Sequence, residues 1–77
     1  MVNMEKNEIM KYRTQVGKQL KLARDAQGWT VEQVAVMADV KAATVEKIEA
    51  GAFNVPFDVL SRVADVLGCE MSIKTKE

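Results

Sequence analysis

Only three residues, Asp39, Val40 and Lys41, separate two short runs with helical apolar spacing, and no other feature constrains this chain as much. Thr30 opens the first run. Its hydroxyl is placed to accept from a backbone amide two or three residues on, while Gln33 reaches back to complete a capping box. Val34, Ala35 and Ala38 then share one side. In the second run, from about Ala42 to Ala50, Val45 and Ile48 point inward and Gly51 supplies a left-handed residue just past the end. Helices joined by so short a turn must nearly touch where they cross. Ala35 provides the small side chain for that approach, and Val34, Val40, Val45 and Ile48 fill the wedge.

A helix is predicted on either side of this pair. Ile9, Tyr12, Val16, Leu20 and Ala23 recur at steps of three and four, with lysines and arginines opposite, until Gly28 stops the pattern. Met1 to Lys6 offers no clear cap for its start. Pro56 suits the first position of a fourth helix, where its missing N–H costs nothing, and Phe57, Leu60, Val63, Ala64 and Leu67 keep helical spacing to Gly68. The expected fold is an all-α bundle of four helices over residues 1–68. With 77 residues in all, it buries only about 60% of the surface its unfolded chain exposes.

After Gly68 the period changes. In "EMSIKTK", Met71, Ile73 and Thr75 alternate with Ser72, Lys74 and Lys76, which is a strand signature. One strand of about five residues cannot pair within its own chain. Residues 69–77 are therefore expected to form a dimerisation element, with Met71 and Ile73 packing on the core while the backbones pair across a two-fold axis. The other reading of this tail is a disordered chain end.

The composition excludes more than it suggests. Formal charge is zero and the pI is about 6.3, so no global basic field announces a nucleic-acid partner. The charge is uneven, however: residues 1–30 carry six cations against three acids, and the remainder carries the compensating −3. Histidine is absent, so nothing is available to activate the lone Cys69 or a hydroxyl, and an enzyme is not expected. No metal-ligand cluster or phosphate-cradling glycine loop implies a cofactor. One cysteine, no leader pattern and no apolar run near roughly 18 residues point to a soluble cytoplasmic protein without a membrane partner. Trp29 and Tyr12 are assigned to packing, and Cys69 to a small buried apolar role.

Four fragments, "LKLARDAQGWT", "VEQVA", "ATVEKIEAG" and "VLSRVADVLG", stand in the order and at the spacings of the phage-repressor and Cro-type helix-turn-helix family, also called the xenobiotic-response-element type. The resemblance covers about Gly17 to Gly68. It implies a lambda-repressor-like bundle in which the start of helix three enters the major groove, carrying Lys41, Ala42, Ala43, Thr44, Glu46 and Lys47 to the bases. It also implies a pair between an arginine late in helix one and a glutamate late in helix three, positions held here by Arg24 and Glu49. That guanidinium can reach a phosphate as well. Lys18, Lys21 and Asn54 complete the expected DNA contacts.

Several positions depart from the family pattern. Val31 stands where a phosphate-binding glutamine is frequent, Lys41 where a serine or threonine caps helix three, and Asp39 where the turn has glycine. After helix three, "AFNV" replaces a basic connection and leaves backbone amides, Asn54 and the amino end of helix four to meet a phosphate. The tail looks like that of short antitoxins, which pair a terminal strand across a dimer axis. The resemblance thus implies a sequence-specific DNA-binding regulator acting as a homodimer on double-stranded DNA. The alternative on the same scaffold is an antitoxin or adaptor whose main task is to bind another protein, such as a toxin.

Overall fold

Four helices follow one another close to the predicted places: α1 (Lys6–Gln27), α2 (Val31–Ala38), α3 (Ala42–Glu49) and α4 (Phe57–Val66). This computed structural model describes the backbone of residues 6–70 and the side chains from Met10 onward. No strand occurs among the described residues, and the predicted strand residues Met71 and Ile73 lie outside them.

The expected capping box is present. Gln33 N–H donates to Thr30 Oγ1 at 3.1 Å, and Thr30 N–H donates to Gln33 Oε1 at 2.8 Å. At the other end of α2 the chain reverses through Asp39, whose φ of 57° and ψ of 51° are left-handed. Aspartate tolerates that region better than most residues. The reversal lets Val40 N–H donate to Ala35 O at 3.0 Å, which holds the turn tight enough for only three residues to separate α2 from α3.

One apolar core unites the helices. It contains Leu20 of α1, Val34, Ala35 and Ala38 of α2, Val45 and Ile48 of α3, and Leu60, Val63 and Ala64 of α4 with Leu67 just beyond; none of these is more than 8% exposed. Val34, Val45 and Ile48 are completely buried, as the wedge between α2 and α3 requires, and Val40 packs against them half-buried. Among the described residues no polar or charged side chain is buried in this core.

Helix α1 attaches differently from the apolar stripe that predicts it. Among the described side chains of that stripe only Leu20 is buried; Val16 and Ala23 are half-buried, and Tyr12, assigned to packing, is 47% exposed. The reason lies at Gly17. A Cβ there would overlap the Ile48 carbonyl oxygen and lie 2.8 Å from the Glu49 carbonyl oxygen. Helix α1 therefore meets the end of α3 backbone to backbone, and so close an approach leaves little room for large side chains around it.

Helix α4 also starts one residue later than predicted. Pro56 is its N-cap in an extended conformation (φ −59°, ψ 151°), and its carbonyl accepts from Val59 and Leu60 N–H at 3.1 and 3.2 Å. Phe57 then becomes the first helical residue and turns away from the core, 66% exposed. No helix among the described residues is long and apolar enough to cross a membrane.

Candidate nucleic-acid interface

Val45 and Ile48 decide which way α3 faces. With both side chains wholly buried, the opposite side presents Ala43, Glu46 and Lys47 to solvent, preceded by exposed Lys41. Thr44 is half-buried. Ala42, expected to face outward, is a correction: it is half-buried and packs against the core, because the first turn of α3 abuts α2 across the short turn. The outer side of this eight-residue helix is thus one methyl, one carboxylate and one ammonium group, with the Lys41 ammonium just ahead of it.

The helix begins without help from a side chain. Lys41 occupies the N-cap with an extended backbone (φ −80°, ψ 148°) and makes no capping hydrogen bond. An N-cap of this shape usually carries a hydroxyl or a carboxamide that accepts from the exposed amides of the first turn. Here a cation stands beside those amides instead.

Glu49 anchors the other end of α3. Arg24 Nε donates to Glu49 Oε2 at 2.6 Å and Nη2 donates to Oε1 at 2.9 Å, a fork that fixes the carboxylate in one orientation. The third nitrogen, Nη1, donates to the Trp29 carbonyl oxygen at 2.8 Å, which ties the connection before α2 to the same group. Both side chains are largely shielded, 12% and 9% exposed. The hydrogen bond to Glu49 raises the Arg24 pKa above its ordinary value; burial opposes this, and the charges of Glu49, Asp25 and Glu32 add to it. Arg24 is therefore a brace between α1, α3 and the α1–α2 connection, with each guanidinium nitrogen already engaged.

The remaining predicted contacts lie at the surface. Lys18 is exposed on α1 next to Gly17, where that helix touches α3. Lys21 is also exposed but bonds Asp25 through Nζ at 3.1 Å, an i, i+4 pair open to solvent. Asn54 is exposed in the connection between α3 and α4. The amino end of α4, considered above as a phosphate contact, holds Asp58 in its first turn, which puts a negative charge where an anion would sit. Helix α2 brings no lysine or arginine, and Val31 is half-buried against the core.

One positioning residue escapes the sequence reading. Arg62 of α4 donates from Nε to the Ala38 carbonyl oxygen at 3.1 Å and has Asp58 3.9 Å away, so a side chain 24 residues distant closes the last turn of α2. Nothing in the local pattern signals it. Arg62 falls between the apolar positions Leu60 and Val63, and the carbonyl it meets belongs to another element.

The helix-turn-helix family model matches residues 20–73, more than two thirds of the chain. The chain belongs to the Cro/C1-type helix-turn-helix family. In this family the fold binds DNA and regulates transcription, and it is not an enzymatic one. The matched span runs from Leu20, which α1 buries in the core, through α2, the turn at Asp39, α3 and α4. No curated protein and no solved structure matches the chain significantly.

Proposed function

We propose that this helix-turn-helix protein is a sequence-specific transcription regulator of the cytoplasm, which seats α3 in the DNA major groove as a homodimer. The observation that carries the reading is that α3 is fixed from behind by Val45, Ile48 and the Arg24–Glu49 fork, while Ala43, Glu46 and Lys47 stay exposed on its outer side. Lys47 donates to guanine O6 or N7, Glu46 accepts from cytosine N4, and the Ala43 methyl meets a thymine methyl. Thr44 and the accessible edge of Ala42 line the approach. This set reads few bases.

Lys18, Lys41 and Asn54 meet phosphates, and Lys21 joins them by leaving Asp25. Arg24 does so only secondarily, because its guanidinium is committed to Glu49 and Trp29. Each neutralised phosphate adds about 0.9 to the slope of log affinity against log salt. With so few base contacts, useful affinity comes from two copies on half-sites about 34 Å apart. Pairing through the tail, with Met71 and Ile73 packed on the helices, supplies the second copy.

Selection of bound duplexes from a random pool at roughly 0.1 M salt, repeated with Lys47→Ala, tests this. The expected result is a two-fold-related consensus that loses its preference at one base position in each half-site. Retention of unselected sequence by the native chain refutes specific readout.

A second reading rests on α2. Val36 is 81% exposed and Met37 47%, and with Trp29, Glu32 and Gln33 they line an open groove of about 420 Å³. An apolar groove of that kind suits a protein partner, as an antitoxin or adaptor would need. Under this reading Val36→Asp abolishes a stoichiometric protein complex and leaves the selected duplex bound as before.

A further inference from the structure

We infer that Arg62 is a positioning residue for base recognition: from α4 it fixes the end of α2, and through the turn at Asp39 it sets how far the leading end of α3 reaches into the groove. The inference rests on the reading of α3 as the helix that meets the bases, and adds a residue that acts on those contacts through another element.

The two ends of α3 are held differently. Its trailing end is clamped by the Arg24–Glu49 fork at 2.6 and 2.9 Å and by the backbone contact with Gly17. Its leading end has no side-chain cap, so its place follows that of the turn before it. In that turn Asp39 N–H donates to Val36 O at 3.2 Å and Val40 N–H to Ala35 O at 3.0 Å. Both bonds run backward into α2. Neither serves the Ala38 carbonyl, the last of α2, which leads into the left-handed Asp39.

Arg62 Nε supplies the donor for that carbonyl at 3.1 Å. Its backbone is pinned, because the next two residues, Val63 and Ala64, are each 1% exposed in the core. One turn earlier, Asp58 stands 3.9 Å from Nη1 and biases the guanidinium toward one orientation. Helix α4 packs mainly on α2, and α2 on α3, so a link from α4 to the end of α2 is the route by which α4 acts on the reading helix. The effect on stability is small, because the Arg62 side chain is 47% exposed and that of Asp58 75%. The effect on position is larger. Eight helical residues span about 12 Å, and a swing of roughly 5° about the clamped end moves the other end by about 1 Å. Binding groups must be held to within about 0.5 Å. Base contacts from the first turns of α3 are therefore lost before phosphate contacts, which carry no sequence information and tolerate such shifts.

Arg62→Met, which removes the donor and keeps most of the stem, tests this beside Arg62→Lys, which restores a donor. Fluorescence anisotropy compares the selected duplex with an unselected one at the same salt. Arg62→Met should weaken the selected duplex by about tenfold and the unselected one by less than roughly twofold, with the salt slope unchanged, and Arg62→Lys should recover most of the loss. Amide hydrogen exchange should quicken at Thr44 and Val45, whose N–H groups close the first turn of α3 on Lys41 O at 2.9 and 3.3 Å, and hold at Ala50, which bonds Glu46 O at the trailing end. The Tm of Arg62→Met should stay within about 8 °C of the native value. A larger fall with both duplexes weakened alike makes Arg62 a structural residue only and overturns the inference. A salt slope lower by about one makes it a phosphate contact, which overturns it as well. A native chain without a preferred duplex overturns the reading of α3 itself, whereas unchanged exchange at Thr44 and Val45 overturns the role of Arg62 whatever the chain binds.

Discussion

Gly17→Ala separates the two forces that act on α1. In an ordinary exposed helix interior the substitution stabilises by about 1 kcal/mol, because alanine lacks glycine's backbone entropy cost. Here the new methyl overlaps the Ile48 carbonyl oxygen and lies 2.8 Å from that of Glu49, and an unstrained contact begins near 3.4 Å. Helix α1 must then withdraw by about an ångström. A gap of that size forfeits roughly a quarter to a half of the dispersion energy across it. The losses fall on Leu20, on half-buried Val16 and Ala23, and on the Arg24–Glu49 bonds of 2.6 and 2.9 Å. Together they amount to roughly 3 kcal/mol, the upper part of the range for overpacking. Subtracting the propensity gain leaves a net destabilisation of about 2 kcal/mol, or a fall in Tm of roughly 8–16 °C for a domain this small. Thermal unfolding followed by far-ultraviolet circular dichroism measures it, with Gln15→Ala on the exposed side of the same helix as control. A Tm equal to or above that of the native chain would refute the backbone contact.

Arg24→Ala leaves the Glu49 carboxylate, 9% exposed, without its fork, and should cost about 2–3 kcal/mol in urea unfolding at neutral pH. Since the folded-state pKa of Arg24 is raised, its stabilisation is complete below the unfolded-state value and is lost only as pH rises through the folded one. The Arg24 contribution should therefore stay constant from pH 6 to pH 9, and a decline across that window would assign the effect to another group. Lys18→Ala should leave the melting temperature within about 2 °C and lower the salt slope of DNA binding by about one unit, measured by fluorescence anisotropy. Lys21→Ala should lower that slope less, because Asp25 at 3.1 Å already competes for the ammonium.

Signals confined to four or five residues were legible in the sequence. The Thr30–Gln33 box, the left-handed residue at Gly51, and the inward faces of α2 and α3 all depend on neighbours along the chain, whereas Asp39 stood out only against the glycine of the family pattern. Contacts between distant residues were not. Gly17 meets Ile48, Arg62 meets Ala38, and neither partner leaves a mark on the other's local pattern. The Arg24–Glu49 pair spans 25 residues and was anticipated from the family resemblance, not from spacing. The same limit explains Phe57 and Tyr12. Apolar periodicity says which residues share a side of a helix, but how far along that side the core extends depends on where the next helix lies. At the candidate interface the helical wheel placed Ala43, Glu46 and Lys47 correctly. It missed Ala42, because the wheel knows nothing of α2 pressing on the first turn.

Lys41 is where the demands of folding and of binding oppose each other. Its backbone has the extended shape of an N-cap, yet its side chain has nothing to offer the free amides of α3, so the fold forgoes the usual capping contribution. A serine in its place supplies the missing acceptor without moving the backbone and should stabilise the domain by about 1 kcal/mol, raising Tm by roughly 4–8 °C. The same change removes one of the two cations on the outer side of α3 and its lead-in, so the salt slope of DNA binding should fall by about one unit even as the fold strengthens. Opposite movements of the two quantities in Lys41→Ser identify the lysine as retained for its charge. If stability rises while affinity and salt slope hold at native values, Lys41 does not face a phosphate, and the proposed approach of α3 to the duplex is wrong at its leading end.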